Sequence, residues 1–363
     1  MNKKQLDFFL GGLSPTGYGG YYSQLLRDTE SRIFLLKAGP GCGKSTLLTR
    51  IAQHLLDAGD TVEAIHCAGD PDSLDAILCR AHRLAVADAT APHVLEPAYP
   101  VAFEQVIPLY YCLDAPRLQA HRYEIIAMFD RTAALSERAT RYLAAAGSLL
   151  QDTARTAQCF TNLSKARDFA HSLSRRYIPV APVAPAGSNA VREDVRLLSA
   201  VTHKGVVLFA DTVEKLADTV IRFDDPHGCA ANAMLAGLRA EALAKGHPII
   251  TCYCAMNPFD KIEHLFLPEL RLAFVTDNAY HPLSPHVASL RTIHCTRFCS
   301  AEGFQLRRKR LLFNRKAITE LLAQACALLR DSKDCHDALE RYYIEAADFS
   351  LLARAYDKIV QQL

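Results

Sequence analysis

Residues 38–46 read Ala38-Gly39-Pro40-Gly41-Cys42-Gly43-Lys44-Ser45-Thr46, and this stretch limits the possible folds more than any other. Gly39, Gly41 and Gly43 allow backbone conformations that side chains block, so successive N–H groups can turn inward around an anion. The spacing fits a Walker A phosphate loop, although Ala38 stands where the usual pattern has its first glycine. In that reading Gly39, Pro40, Gly41, Cys42 and Gly43 cradle phosphate oxygens, and Lys44 places a point charge between the β and γ phosphates. Ser45 offers a hydroxyl to Mg²⁺ and Thr46 a further contact near the α phosphate.

The flanks agree with this reading. Arg32-Ile33-Phe34-Leu35-Leu36-Lys37 is a continuous apolar run of the kind found in buried parallel strands. Beyond the loop, Leu47, Leu48, Ile51, Leu55 and Leu56 recur at helical spacing, and Gly59 stands where a helix ends. Such a helix would add its own dipole and unpaired N–H groups to the anion site.

With 363 residues, half of them apolar, the chain has material for two domains. Its net charge of +2 gives no reason to expect a polyanion-binding surface overall. The start of the chain has too short an apolar core for a signal peptide, and no run approaches a membrane span. Twelve cysteines, several within predicted strands and helices, fit a reducing cytosol and a cytoplasmic protein. Cys252-x-Cys254 and His294-Cys295 with Cys299 lack the spacing of a zinc knuckle and read as buried thiols.

Gly11 to Tyr22 is rich in turn residues and reads as an edge strand and turn, with Tyr18, Tyr21 or Tyr22 as alternatives for stacking on a base. Thr61 to Cys67 alternates as a second strand and leads into Asp70-Pro71-Asp72-Ser73-Leu74-Asp75. An acid there can act as the base of a small-molecule kinase, which makes Asp72 and Asp75 catalytic candidates, whereas Asp70-Pro71 reads as a helix N-cap. Leu84 to Asp88 is a further strand whose terminal Asp88 fits a Walker B residue holding Mg²⁺ through water; with Lys44 it forms the main catalytic pair. Ala89 follows where motor and transporter families place a catalytic glutamate, and no guanine motif or transporter signature is present. Thr90 and His93 lie in the next loop, where a structural turn is expected, with a position facing the γ phosphate as the alternative. From Arg117 to Tyr177 a helical stripe predicts two antiparallel helices, on which Arg131, Arg138 and Arg141 are arginine-finger candidates.

A shift of about 187 residues brings the second half onto the first. Thr219 to Phe223 falls on the loop strand and Asp225-Pro226-His227-Gly228-Cys229-Ala230-Ala231-Asn232 on the glycine loop, so that Lys44 becomes Ala230 and Ser45 becomes Ala231. Asn257-Pro258 matches Asp70-Pro71, Glu263 matches Asp75, Thr276 or Asp277 matches Asp88, and His281 matches His93. Persistence of a histidine in a half without the lysine favours a structural role for His93. Residues 303–363 return to helices and begin with Arg307-Arg308-Lys309-Arg310, followed by Arg315-Lys316. This cluster is either a solvated face or a site for nucleic acid or an acidic partner.

The Gly-Gly-x-x-Pro-x-Gly entry, the loop itself, His66-Cys67-Ala68-Gly69-Asp70-Pro71-Asp72-Ser73-Leu74-Asp75 and Asp88-Ala89-Thr90-Ala91-Pro92-His93 together resemble an uncharacterised group of bacterial tandem P-loop proteins described only as ATPases. The resemblance implies two P-loop modules with helical appendages. The expectation is an α/β protein with a duplicated P-loop NTPase fold, a parallel sheet flanked by helices, with an α-helical hairpin on each copy and a degenerate second copy. Its expected segments are a P-loop domain at 1–114, a helical hairpin at 115–177, a linker at 178–190, a degenerate domain at 191–302 and a helical segment at 303–363. The expected function is Mg-ATP binding with slow hydrolysis or a nucleotide-dependent switch. A small-molecule or nucleotide kinase and a non-catalytic interaction module are the alternatives, with a protein or small molecule as the unidentified partner.

Overall fold

The computed structural model describes residues 4–26, 31–182, 192–280, 282–283 and 286–363. In the first half, strands β1 (Gln5–Phe9), β2 (Gly11–Ser14), β3 (Gly17–Gly20) and β4 (Arg32–Lys37) precede helix α1 (Lys44–Asp57). Strands β5 (Val62–His66), β6 (Leu74–Cys79), β7 (Leu84–Asp88) and β8 (Glu104–Pro108) follow, then helices α2 (Ala115–Ala120), α3 (Arg122–Gln158) and α4 (Leu163–Tyr177). The second half contains β9 (Glu193–Arg196), β10 (Ser199–Thr202), β11 (Gly205–Leu208), α5 (Ala210–Leu216), β12 (Thr219–Asp224), α6 (Ala230–Ala244), β13 (Ile249–Cys254), β14 (Asn257–Leu267), β15 (Leu272–Asp277) and β16 (Arg291–His294). It ends in α7 (Ala301–Glu345) and α8 (Leu352–Val360).

Two compact units divide the chain: Met1–Thr140 with Val201–Gly205 and Gln324–Leu363, and Arg141–Ala200 with Val206–Ala323. The first holds a sheet of order β1-β5-β6-β7-β4-β8 and the second one of order β9-β13-β14-β15-β12-β16. Position by position the two orders correspond, so the architecture is an internally duplicated α/β fold. The expected all-parallel sheet is corrected in both copies. β1, β5, β4, β7 and β8 run parallel to one another, but β6 is antiparallel to β5 and β7, and β14 is antiparallel to β13 and β15. Connection length is the physical reason. A parallel crossover needs about a dozen residues or more, and only residues 67–73 join β5 to β6. The N-cap expected at Asp70-Pro71 is corrected with it, because a turn stands there: Ser73 N–H donates to Asp70 O at 2.9 Å and a strand follows.

Each core contains a helix from distant sequence. In the first unit α1 lays Leu47, Leu48, Ile51 and Leu55 on Phe34 and Leu36, and Leu352, Ala355 and Ile359 of α8 complete the cluster. In the second, α6 places Met234, Leu235 and Leu238 against Ile221 and Phe223, and α4 supplies Ala166, Ala170 and Leu173. The helix pair expected over 117–177 is therefore corrected: α4 does not return along α3 but packs on α6. In the first unit α3 lies beside α7, with Cys335 Sγ donating to Met128 O at 3.6 Å. Of the expected linker, Ile178 is buried and Ala181 N–H donates to Lys245 O at 2.8 Å, while residues 183–190 lie outside the described residues.

Leu173→Ala removes a fully packed contact between α4 and α6. It should cost about 2–5 kcal/mol of stability, read as a fall in denaturation midpoint; a change below about 0.5 kcal/mol, as at a surface site, would show that α4 is not part of that core.

Candidate functional site

The end of β4 delivers the glycine loop to the sheet edge, and α1 begins at Lys44. Gly41 and Gly43 take φ of 64° and 75°, left-handed values that favour glycine. The same positions admit close neighbours from α7 and α8: a Cβ on Gly41 would lie 2.9 Å from Glu340 O, and one on Gly43 2.7 Å from Leu352 Cδ1. Gly41 N–H donates to Glu340 Oε1 at 3.2 Å. A carboxylate from 299 residues away in sequence thus occupies an anion seat on the loop.

Lys44 Nζ donates to Gly39 O at 2.7 Å and lies 3.4 Å from Asp88 Oδ2. Asp88 also accepts from Thr90 N–H at 2.9 Å and from Thr90 Oγ1. Ser45 Oγ accepts the Leu74 N–H at 2.9 Å, which ties the start of α1 to the start of β6. Asn232 makes the equivalent bond in the second copy, accepting the Ile262 N–H at 3.0 Å, which corrects the expected match by one position: Asn232 stands where Ser45 does, and Ala231 where Lys44 does.

Because β6 is antiparallel, its first residues share the sheet edge with the last residues of β7. Ala76 pairs with Ala87, so Asp75 and Asp88 follow as opposite positions at that edge. Asp75 is buried and accepts from Tyr22 Oη at 2.7 Å. His93 Nε2 lies 3.8 Å from Asp75 Oδ1 and 4.0 Å from Asp88 Oδ2, and has no hydrogen-bond partner among the described residues. The Tyr22 ring stacks on His93 at 4.7 Å and 14°, and Tyr18 Oη sits 3.4 Å from its Nδ1. Burial pushes the Asp75 carboxyl up, against the lowering influence of His93 and the Tyr22 hydroxyl, and also raises both tyrosines. Sequence reasoning left His93 in a turn; the signal it lacked is the strand reversal that brings Asp75 to the same edge.

Other expected residues fall elsewhere. Asp72 is exposed and ion-paired with Lys204, whose hydrogen bond lowers its carboxyl pKa, so the structure separates it from Asp75. Tyr18 and Tyr22 face His93 rather than an open base site. Arg131 lines an open cleft of about 650 Å³ with Glu124, Asp331 and Asp334. Arg138 and Arg141 are exposed on α3. Arg307, Arg308 and Lys309 are also exposed, whereas Arg310 Nε donates to Asp152 at 2.8 Å. Cys252 and Cys254 are buried on β13, and burial pushes the Cys254 thiol up to about 12.

In the second copy five residues, rather than six, join β12 to α6. Asp225, directly after the strand, accepts from His227 N–H at 3.2 Å, Gly228 N–H at 3.0 Å and Ala231 N–H at 2.8 Å. That loop supplies its own anion. Thr276 stands in register with Asp88, and Lys261 is paired with the buried Glu263. His281 lies outside the described residues.

The family model for Nephrocystin 3, N-terminal, matches residues 20–93, a span from the last residue of β3 through β7 to His93. No curated protein and no solved structure matches the chain. This match corrects the family expectation: the named domain, not an uncharacterised bacterial tandem P-loop group, is what the comparison returns. The labels P-loop NTPase, Walker A and ATPase therefore fail as a family identity.

A raised acid makes a pH prediction. Native Asp75 keeps its proton above the unfolded value of about 3.9, so the wild type loses stability as pH rises from there through the native pKa. The wild type should weaken relative to Asp75→Asn between pH 4 and pH 7 in paired urea melts. A pH-independent difference would contradict the burial argument.

Proposed function

We propose that the glycine loop of the first copy binds the phosphates of a Mg²⁺-bound nucleoside triphosphate, and that binding works as a switch by displacing Glu340. The observation that carries this reading is the hydrogen bond from Gly41 N–H to the Glu340 carboxylate. Backbone donors in a glycine loop at a helix start suit phosphate at least as well as carboxylate. Here the resident acceptor belongs to α7 rather than to the loop, so an incoming anion can replace it. In the second copy Asp225 holds the equivalent donors from within, which leaves one site per chain.

On displacement, the amides from Gly41 to Lys44 take the phosphate oxygens and Lys44 leaves Gly39 O for the β and γ phosphates. The donor set fits Mg²⁺, because Ser45 and Asp88 offer oxygen atoms to a hard cation. The ion supplies charge neutralisation on the phosphates when bound. Hydrolysis proceeds by water attacking the γ phosphorus in line while the bond to the β-bridging oxygen breaks and Lys44 meets the charge. Neither an arginine finger nor a general base is assigned, so turnover is slow without a partner.

The kinase alternative rests on Asp75, buried at the same edge, and no longer on Asp72. As an interaction module, the chain would use the exposed Arg307 to Lys309 face towards an acidic partner or nucleic acid. A reducing compartment such as the cytosol fits twelve unpaired cysteines. Among the described residues no helix is long and apolar enough to cross a membrane.

Calorimetric titration with Mg-ATP and Mg-ADP tests the reading. Lys44→Ala should weaken binding about 30-fold or more, the value of a lost charged contact of about 2 kcal/mol. Glu340→Gln removes the competing charge and should tighten binding about tenfold. Absence of binding at millimolar nucleotide in both the wild type and Glu340→Gln would end the nucleotide reading; equal affinity in those two would end the displacement mechanism alone.

A further inference from the structure

At the sheet edge away from the glycine loop, two tight turns bring three different ligating groups together. Asp60 lies between α1 and β5, and Cys79 and His82 frame the β6–β7 hairpin. Asp60 Oδ2 and His82 Nε2 are 2.8 Å apart, and these atoms and Cys79 Sγ all lie within 4.8 Å of one another. The backbone holds each turn. Asp60 N–H donates to Leu55 O at 3.0 Å, Arg83 N–H donates to Arg80 O at 3.1 Å, and Arg32 Nη2 donates to His82 O at 3.2 Å.

An ordinary surface bridge accounts for Asp60 and His82 but not for the sulfur. Cys79 is buried beside them, and the amides of Ala81 and His82, two and three residues on, are directed at its Sγ. The thiolate is the form that binds metals. Burial and the neighbouring Asp60 charge push this thiol up, so without a cation beside it the sulfur stays protonated and inert. A Cys-x-x-His hairpin with a carboxylate from a second turn supplies the sulfur, nitrogen and oxygen donors that Zn²⁺ accepts.

We propose that Asp60, Cys79 and His82 form a zinc site with three protein ligands and one position for water. Tetrahedral bonds of about 2.0–2.3 Å separate such ligand atoms by about 3.3–3.6 Å, so Asp60 and His82 part slightly and all three groups are reached by small turn movements. The Cys79 thiol releases its proton to solvent, and the imidazole keeps its remaining proton on Nδ1 while Nε2 binds the ion. Thiolate and carboxylate together neutralise the 2+ charge. The ion fastens the α1–β5 turn to the β6–β7 hairpin, and none of its ligands belongs to the glycine loop.

The test is titration of the reduced, chelator-stripped full chain with Co²⁺ and then Zn²⁺. The expected result is one equivalent of Co²⁺ with a thiolate charge-transfer band and intense tetrahedral d–d bands, both lost on adding Zn²⁺. Cys79→Ser and His82→Gln should lose the bands, while Lys44→Ala titrates as the wild type does. Asp60→Asn, which keeps the side-chain size and leaves the cysteine and histidine in place, should fold normally and bind about 10- to 100-fold more weakly. A folded wild type that leaves Co²⁺ with its pale hexa-aqua spectrum would overturn the proposal. So would bands that persist in Cys79→Ser at unchanged affinity, since another of the twelve cysteines would then hold the ion.

Discussion

Inward-facing backbone N–H groups need an acceptor, and much of this molecule follows from how each copy of the fold supplies one. In the second copy the acceptor is built in, since Asp225 takes two amides of its own loop and one at the start of α6. In the first copy the residue directly after the strand is Ala38, which has no acceptor to offer, and Glu340 reaches Gly41 from α7. One substitution thus separates a loop that is internally satisfied from one that depends on a distant carboxylate. Burying such a donor without any partner costs about 1–3 kcal/mol, so the first loop favours either the α7 contact or a bound anion.

The reversed strand has a comparable reach. By entering the sheet antiparallel, β6 brings Asp75 opposite Asp88, and a carboxyl that burial pushes up comes to share an edge with Lys44 and His93. The second copy keeps the reversal but replaces the pair with Glu263 and Thr276 and adds Lys261. The backbone path and one carboxylate are kept, while the position of Asp88 loses its charge to Thr276.

Much of this was legible in the residues. The apolar run at β4, the helical spacing of α1 and the alternation of β5 placed those elements, and the repeat aligned the second loop with the first. Strand direction was not read correctly, although the short span from Cys67 to Ser73 carried the information. The exchange of α4 and α8 was invisible to periodicity, because an apolar stripe marks a buried face without naming the helix it meets. For the same reason nothing in the sequence singles out Glu340 among the charges of α7, and the spacing Cys79-x-x-His82 gains meaning only with Asp60, which sits on another turn. The family comparison returned residues 20–93 as the span with a named likeness, which is the region where the local signals were clearest.

Backbone hydrogen exchange with and without Mg-ATP addresses the central claim most directly. If phosphate replaces Glu340, the amides of residues 39–46 become protected while residues 336–352 exchange faster as α7 and α8 loosen from the loop. Unchanged exchange in the loop at saturating nucleotide, or protection of both segments together, would contradict the account.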